Sequence, residues 1–336
     1  MLADLAGLPS GYLFAALLVG LGYAMLRPGR MSMPPYGFRI GQAVTGVALG
    51  TFQHSSTLSD LGKHWLPVTL VSAATLLVTI GAGIVLARVT ELDRPTASLG
   101  MVAGGASGIV AMADELGGDD RLVAFMQYLR VLMVTLLTPL IVPLAFGVHT
   151  SGGGPGDGPL LGTPAGWALT VVASVLGVLI GPLLRLPAPA LLGPLILTAV
   201  LTLTGVIGDT QVPPLAREVA FSLIGLQIGL GFERKTLREI ARVAWPVALS
   251  IAALLVICFV LGWLLSLTAD VTLLDGYLAT TPGGLYAVLP IAYGSGADTG
   301  FVLAVQGIRL FAMVLAAPAI VRWLLRRDRR RPAAVA

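Results

Sequence analysis

The sequence predicts an all-α, polytopic integral membrane protein of two inverted repeats, each of about four spans plus a re-entrant or broken helical hairpin. Three observations predict it. The 336 residues are 56% apolar and only 11% charged, with a mean hydropathy of +0.90, whereas a soluble domain carries about 25% charged residues. Residues 46–142 and 225–321 align without a gap at a constant offset of 179, with 12 identities in the 42 positions from 101 to 142. Two apolar segments at corresponding places are interrupted by glycine pairs, Gly104-Gly105 and Gly283-Gly284, and glycine pairs break helices.

The matched positions are not only apolar. Gly117, Asp119, Val123, Gln127, Arg130 and Pro139 recur as Gly296, Asp298, Val302, Gln306, Arg309 and Pro318. Unrelated apolar helices would share Leu and Val, not an Asp, a Gln and an Arg in register. A bilayer crossing needs about 20 mostly apolar residues. Such spans are expected over 11–27, 39–53, 65–88, 122–147, 164–185, 188–208, 215–232, 245–268 and 300–324. The broken segments, 97–113 and 276–293, are read as re-entrant hairpins or discontinuous helices, because irregular backbone at membrane depth must be buried in protein or line a wet cavity.

Charge sets the orientation. With both broken segments re-entrant, nine spans remain and 17 basic residues fall on the side of the C-terminus. Only Lys63 and Arg217 fall on the other side, and Arg130 and Arg309 lie within spans. The positive-inside bias then puts the N-terminus outside and the C-terminus in the cytoplasm. The second half is inverted relative to the first, the arrangement of many secondary transporters. The divisions expected are a first membrane repeat over 8–147, a linker and connecting span over 148–185, a second repeat over 186–324, and a basic cytoplasmic tail over 325–336. Asp4 precedes the first Lys or Arg, so no cleavable signal peptide is expected.

Asp119, Val123, Gln127 and Arg130 fall on one face of a helix, and so do Asp298, Val302, Gln306 and Arg309. An intramembrane Arg costs roughly 2.5–3.5 kcal/mol on insertion scales and faces a partner or a wet cavity. Arg130 and Arg309 therefore either contact an anionic solute or coupling carboxylate, or tie down carbonyls of the broken hairpins. Asp119 and Asp298 either cap their helices or couple a proton or cation. Gly104, Gly105, Gly283 and Gly284 either place backbone groups at hairpin tips, where helix ends bind ions without charged side chains, or belong to dry structural hairpins. Ser107 and Tyr286 add hydroxyls beside them. These residues, with Gln127 and Gln306, form the candidate substrate-binding set.

Other chemistries find no support. His54, His64 and His149 show no ligand spacing, so no metal is expected. The single cysteine, Cys258, permits no internal disulfide. No GxxxxGK[ST] loop is present, no cofactor is expected, and no catalytic residue is assigned. Arg322, Arg326, Arg327, Arg329, Arg330 and Arg331 follow a span and read as a cytoplasmic flank, not a nucleic-acid contact.

The segment Thr281-Pro282-Gly283-Gly284-Leu285, with Gly296-Ala297-Asp298 and then Val302, Gln306 and Arg309, resembles the AbrB family of bacterial membrane proteins. In the first half Gly104-Gly105, Gly117 to Asp119, and Gln127 to Arg130 carry the same resemblance. It covers nearly the whole chain and implies a duplicated membrane domain. The first half has Ala103-Gly104-Gly105 where typical copies have Pro-Gly-Gly. The Glu that often follows the glycines in the family is also missing, so no acidic coupling role is carried over. Family names imply regulation of gene expression or ammonia oxygenation. The oxygenase label lacks a copper or iron ligand set here, and nothing resembles a DNA-reading module.

The function expected is therefore a secondary transporter or exporter in the bacterial inner (plasma) membrane, moving a small solute, with anions among the candidates. The alternative is a membrane sensor that influences gene expression without transport. The partners expected are the lipid bilayer and a small-molecule solute, with no nucleic acid and with a homodimer left open.

Overall fold

A computed structural model describes residues 11–27, 33–51, 64–103, 109–110, 113, 116–147, 159–186, 188–208, 210–231 and 241–329. Every element among them is helical: α1 (Gly11–Leu26), α2 (Pro35–Gly50), α3 (Trp65–Val89), α4 (Arg94–Met101), α5 (Asp120–Phe146), α6 (Pro164–Leu183), α7 (Pro189–Leu203), α8 (Pro214–Leu230), α9 (Ala241–Ala269), α10 (Leu273–Thr280), α11 (Leu285–Gly294) and α12 (Thr299–Arg329). Residues in α3, α5, α6 and α9 form helices long and apolar enough to cross a membrane, and α1, α7 and the start of α12 are shorter apolar helices. Outward faces stay apolar, as with Leu70, Leu77 and Val85 on α3 and Val171, Val175 and Leu179 on α6. Such continuous apolar surface suits lipid, not water. The chain is an all-α polytopic membrane protein.

The halves exchange their leading helices. α1 packs against α8, and α7 packs against α2. Glycines make both contacts close. A Cβ on Gly225 would lie less than 3.0 Å from the Leu13 carbonyl, and one on Gly229 less than 3.0 Å from that of Leu17. Gly46 meets the Leu191 carbonyl and Gly50 the Leu195 carbonyl in the same way. Small residues four apart let helix backbones approach within a membrane.

These pairings carry direction. Residue numbers rise together along α8 and α1, and along α2 and α7, so both pairs are parallel. Gly177 meets Pro194 and Gly181 meets Pro189, so α6 and α7 are antiparallel. Direction alternates with each crossing. α8 matches α1, and α7 matches α2, only if the segment between α3 and α5 returns to the face it left. The first broken segment is therefore re-entrant, and α8 runs opposite to its copy α2.

The hairpins confirm this locally. The Asp119 amide donates to Thr96 Oγ1 at 2.8 Å, which joins the start of α5 to the start of α4. At the same offset of 179, the Asp298 amide donates to Asp275 Oδ1 at 2.7 Å, joining the start of α12 to α10. Each segment thus enters and leaves at one end. At 1.5 Å per residue, α10 and α11 are about 12 and 15 Å long, roughly half of a ~30 Å hydrocarbon core.

The hairpins sit in the interior, against the opposite half. Leu285, Val288 and Leu289 of α11 share a core with Val134 and Val142 of α5. Leu99 and Val102, together with Ile109, share one with Met313 and Val321 of α12. Val134 and Met313 are equivalent positions in the repeat. A Cβ on Gly283, at the second hairpin's tip, would collide with the Val134 side chain.

Candidate functional site

Each hairpin begins with a capped helix. Asp93 Oδ2 accepts from the Thr96 amide at 3.0 Å and starts α4. Thr272 Oγ1 accepts from the Asp275 amide at 3.1 Å, and Asp275 returns the bond from the Thr272 amide at 3.2 Å, a reciprocal capping box that starts α10. Each short helix stops after eight residues. Its last carbonyls then have no intrahelical partner.

A glutamine and an arginine from the following long helix take those carbonyls. Gln127 Nε2 donates to the carbonyls of Leu99 at 2.9 Å and Val102 at 3.0 Å. Arg130 Nη1 donates to the Val102 carbonyl at 2.7 Å and Nη2 to Gln127 Oε1 at 2.8 Å. In the second half Gln306 Nε2 donates to Leu278 at 2.8 Å and Thr281 at 3.0 Å. Arg309 Nη1 donates to the Thr280 carbonyl at 2.7 Å and Nη2 to that of Thr281 at 3.1 Å. Arg309 Nη2 also donates to Gln306 Oε1. Gln127, Arg130, Gln306 and Arg309 are all buried. Thr280 Oγ1 donates to the Cys258 carbonyl at 2.8 Å, which fixes the end of α10 to α9.

The arginine bracket has an electrostatic consequence. A helix C-terminus carries partial negative charge and an N-terminus partial positive charge. At the second tip, Arg309 and Gln306 offset the C-terminal end of α10. The N-terminal end of α11 keeps its positive pole, since Gly284 at its N-cap has φ +84° and supplies no side-chain cap.

Asp119 and Asp298 lie elsewhere. Asp119 Oδ1 accepts from the amides of Arg121 at 2.9 Å and Leu122 at 3.1 Å, and Asp298 Oδ1 from that of Phe301 at 3.0 Å. Both cap their long helices at the hairpin bases. Eleven residues separate each from its arginine, about 16 Å along the axis. The shared face therefore holds two stations, a cap at the base and a carbonyl bracket toward the tip, and the structure does not bring Asp and Arg together. Gly104, Gly105 and Ser107 lie outside the described residues, as do the side chain of Tyr286 and the linker over 148–158.

Sequence reasoning missed one pair. Arg217, counted among the basic residues of the outer side, lies on the inner face of α8 and is 8% exposed. Its Nη1 donates to the Tyr293 hydroxyl at 2.6 Å, and its guanidinium carbon lies 4.9 Å from the centre of that ring. The signal was available: Ala216, Ala220, Phe221 and Ile224 repeat at helical spacing around Arg217 and are all buried.

The amino-acid sequence matches known sequences along nearly its whole length. The family model described as "Transition state regulatory protein AbrB" matches residues 12–325. The chain is 35% identical over 317 residues to the "Putative regulator AbrB" of Escherichia coli (strain K12), covering 94% of this chain and 90% of that one. It is 27% identical over 343 residues to the "Uncharacterized protein YhjN" of Bacillus subtilis (strain 168), covering 96% and 89%. No solved structure matches. A duplicated helical membrane domain with Gly-Gly, Asp, Gln and Arg at matched places in each half, matched by the family along 12–325, leaves one assignment: the chain belongs to the AbrB family.

Proposed function

We propose that this chain is a secondary transporter or exporter of a small anionic solute in the inner membrane of a bacterium. The observation that carries the reading is the pair of half-depth hairpins, closed at their bases by Thr96–Asp119 and Asp275–Asp298 and packed against the opposite half. Two inverted half-depth elements meeting near the midplane give one site two routes of access. The solute's place is at the hairpin tips; Gly283 and Gly284 lie at the described one, and Gly104, Gly105, Ser107 and Tyr286 join the candidate set by sequence alone. Gln127, Arg130, Gln306 and Arg309 hold the tips in shape, and Asp119 and Asp298 hold the bases. The uncompensated positive pole of α11 favours an anion. The reading involves no catalytic step, no cofactor and no nucleic acid.

A sensor is the second reading, and the word regulator in the name of the Escherichia coli relative favours it. A transporter that changes a metabolite level would also alter expression. Access separates the two. Single cysteines replace Ser107 or Tyr286 in a Cys258→Ala background, and a membrane-impermeant thiol reagent is applied to each face of sealed vesicles. A transporter should expose each position to both faces in some condition. Reaction of each position from one face only, whatever solute is added, would move the assignment to the sensor.

Orientation follows from the basic residues, with the N-terminus outside and the C-terminus in the cytoplasm. Cysteines at positions 56 and 236 should label from opposite faces, the first from outside. Labelling of both from one face contradicts the inverted arrangement.

A further inference from the structure

The geometry points to a receiving site for a small organic monocarboxylate, formed by Arg217 and Tyr293 at the base of the second hairpin. The inference deepens the transport reading by naming the substrate class and its point of entry, and it rests on that reading. Arg217 lies in the first turn of α8 and Tyr293 near the end of α11, five residues before the basal Asp298. Positive-inside orientation puts this base at the outer face.

The argument turns on charge balance. Arg217 is more than nine-tenths buried, and among the described residues no carboxylate pairs with it. A hydroxyl and a ring face orient the cation without neutralising it. Glu218, next in sequence, projects about 100° around the helix. A buried charge without a counter-ion costs several kcal/mol, and an anion on the guanidinium would remove that cost. The fork is available to one. Beyond Nη1, the N–H groups of Arg217 make no described hydrogen bond, and they are not among the sealed unpaired atoms. The 8% of Arg217 that stays exposed keeps the side chain in contact with accessible space. Arg309 is the contrast: both Nη atoms are taken by carbonyls, and Nε is sealed without a partner among the described residues.

The surroundings select the class. One guanidinium balances one negative charge, and its planar fork matches a carboxylate. Ala220 and Phe221, one turn along α8, and Ile224, two turns along, are buried apolar side chains on the same helix face, so no second charge lies along it. Phosphate or sulfate would need a second cation, and none is described beside Arg217. The first half has Phe38 at the equivalent position, so the site belongs to one half.

The test is thermal unfolding of the purified full chain in detergent with sodium acetate, pyruvate or benzoate, and with sodium phosphate or sulfate, each against sodium chloride at equal ionic strength. A ligand that binds the native state raises the melting temperature. At least one monocarboxylate should raise it. The rise should vanish in Arg217→Gln, shrink in Arg217→Lys, and need more ligand in Tyr293→Phe. No rise with any of the three, a rise that survives Arg217→Gln, or a larger rise with phosphate or sulfate overturns the assignment. A second arm needs no variant. Phenylglyoxal should modify Arg217 of the wild-type chain, and benzoate should protect it; lack of modification or of protection also overturns it. If the carboxylate effect depends on Arg217 while reconstituted vesicles show no carboxylate flux, the transport reading fails and this site stands.

Discussion

Gly225→Ala should destabilise the protein strongly, while Gly22→Ala should be harmless. The first places a Cβ inside contact distance of the Leu13 carbonyl on a neighbouring helix; the second finds nothing within 4 Å. Overpacking in a tight interior costs about 1–3 kcal/mol when side chains can move aside. Here the obstacle is backbone, so α1 and α8 must separate along their length and the cost should reach the top of that range or exceed it. Gly46→Ala should match it, because its Cβ meets the Leu191 carbonyl at the equivalent contact in the other half. Gly22→Ala should be neutral or stabilising by up to about 1 kcal/mol through helix propensity. Thermal unfolding of the three variants in detergent checks the set. Equal melting temperatures for Gly225→Ala and Gly22→Ala would refute the exchanged, close-packed pairing of α1 with α8.

Arg309→Ala should be the other large loss. It strands the Thr280 carbonyl, removes one of two donors to Thr281, and frees Gln306 Oε1. Hydrogen bonds from charged donors contribute roughly 1.5–3 kcal/mol each, so a loss on the order of 3 kcal/mol or more is expected. Lysine should rescue little, since one ammonium cannot span two successive carbonyls and a side-chain amide. Gln306→Ala and Arg309→Ala should be non-additive, because the residues share the Thr281 carbonyl and bond each other. A melting temperature unchanged by Arg309→Ala would show that the tip holds itself without the bracket.

The fold was legible because duplication leaves a record that chance does not. The helices match the expected spans to within a few residues at most ends, as with Pro164–Leu183 against 164–185. The re-entrant character of the broken segments follows from the glycine pairs and the distribution of basic residues. The choice between roles for Arg130 and Arg309 was not legible. It depends on where α4 and α10 stop, and the partners lie 28 or 29 residues upstream. Helical periodicity reports a shared face, not what lies opposite it. Asp119 and Asp298 were more tractable, since capping is local. The pairing of Arg217 was not legible either, since its partner is distant in sequence. Burial by Tyr293, 76 residues away, is a tertiary fact.

The exchange of leading helices constrains how the protein is made. α2 leaves the ribosome early, yet its parallel partner α7 is translated only after α3, α5 and α6 have followed. α1 waits longer still, for α8. Until then the Gly46 and Gly50 surface lacks the helix that covers it in the folded chain. The first repeat thus remains an open assembly during synthesis, and folding completes only when the second repeat threads its opening helices past it. Insertion order and packing order differ in this chain, and the bilayer holds the intermediate together in the interval.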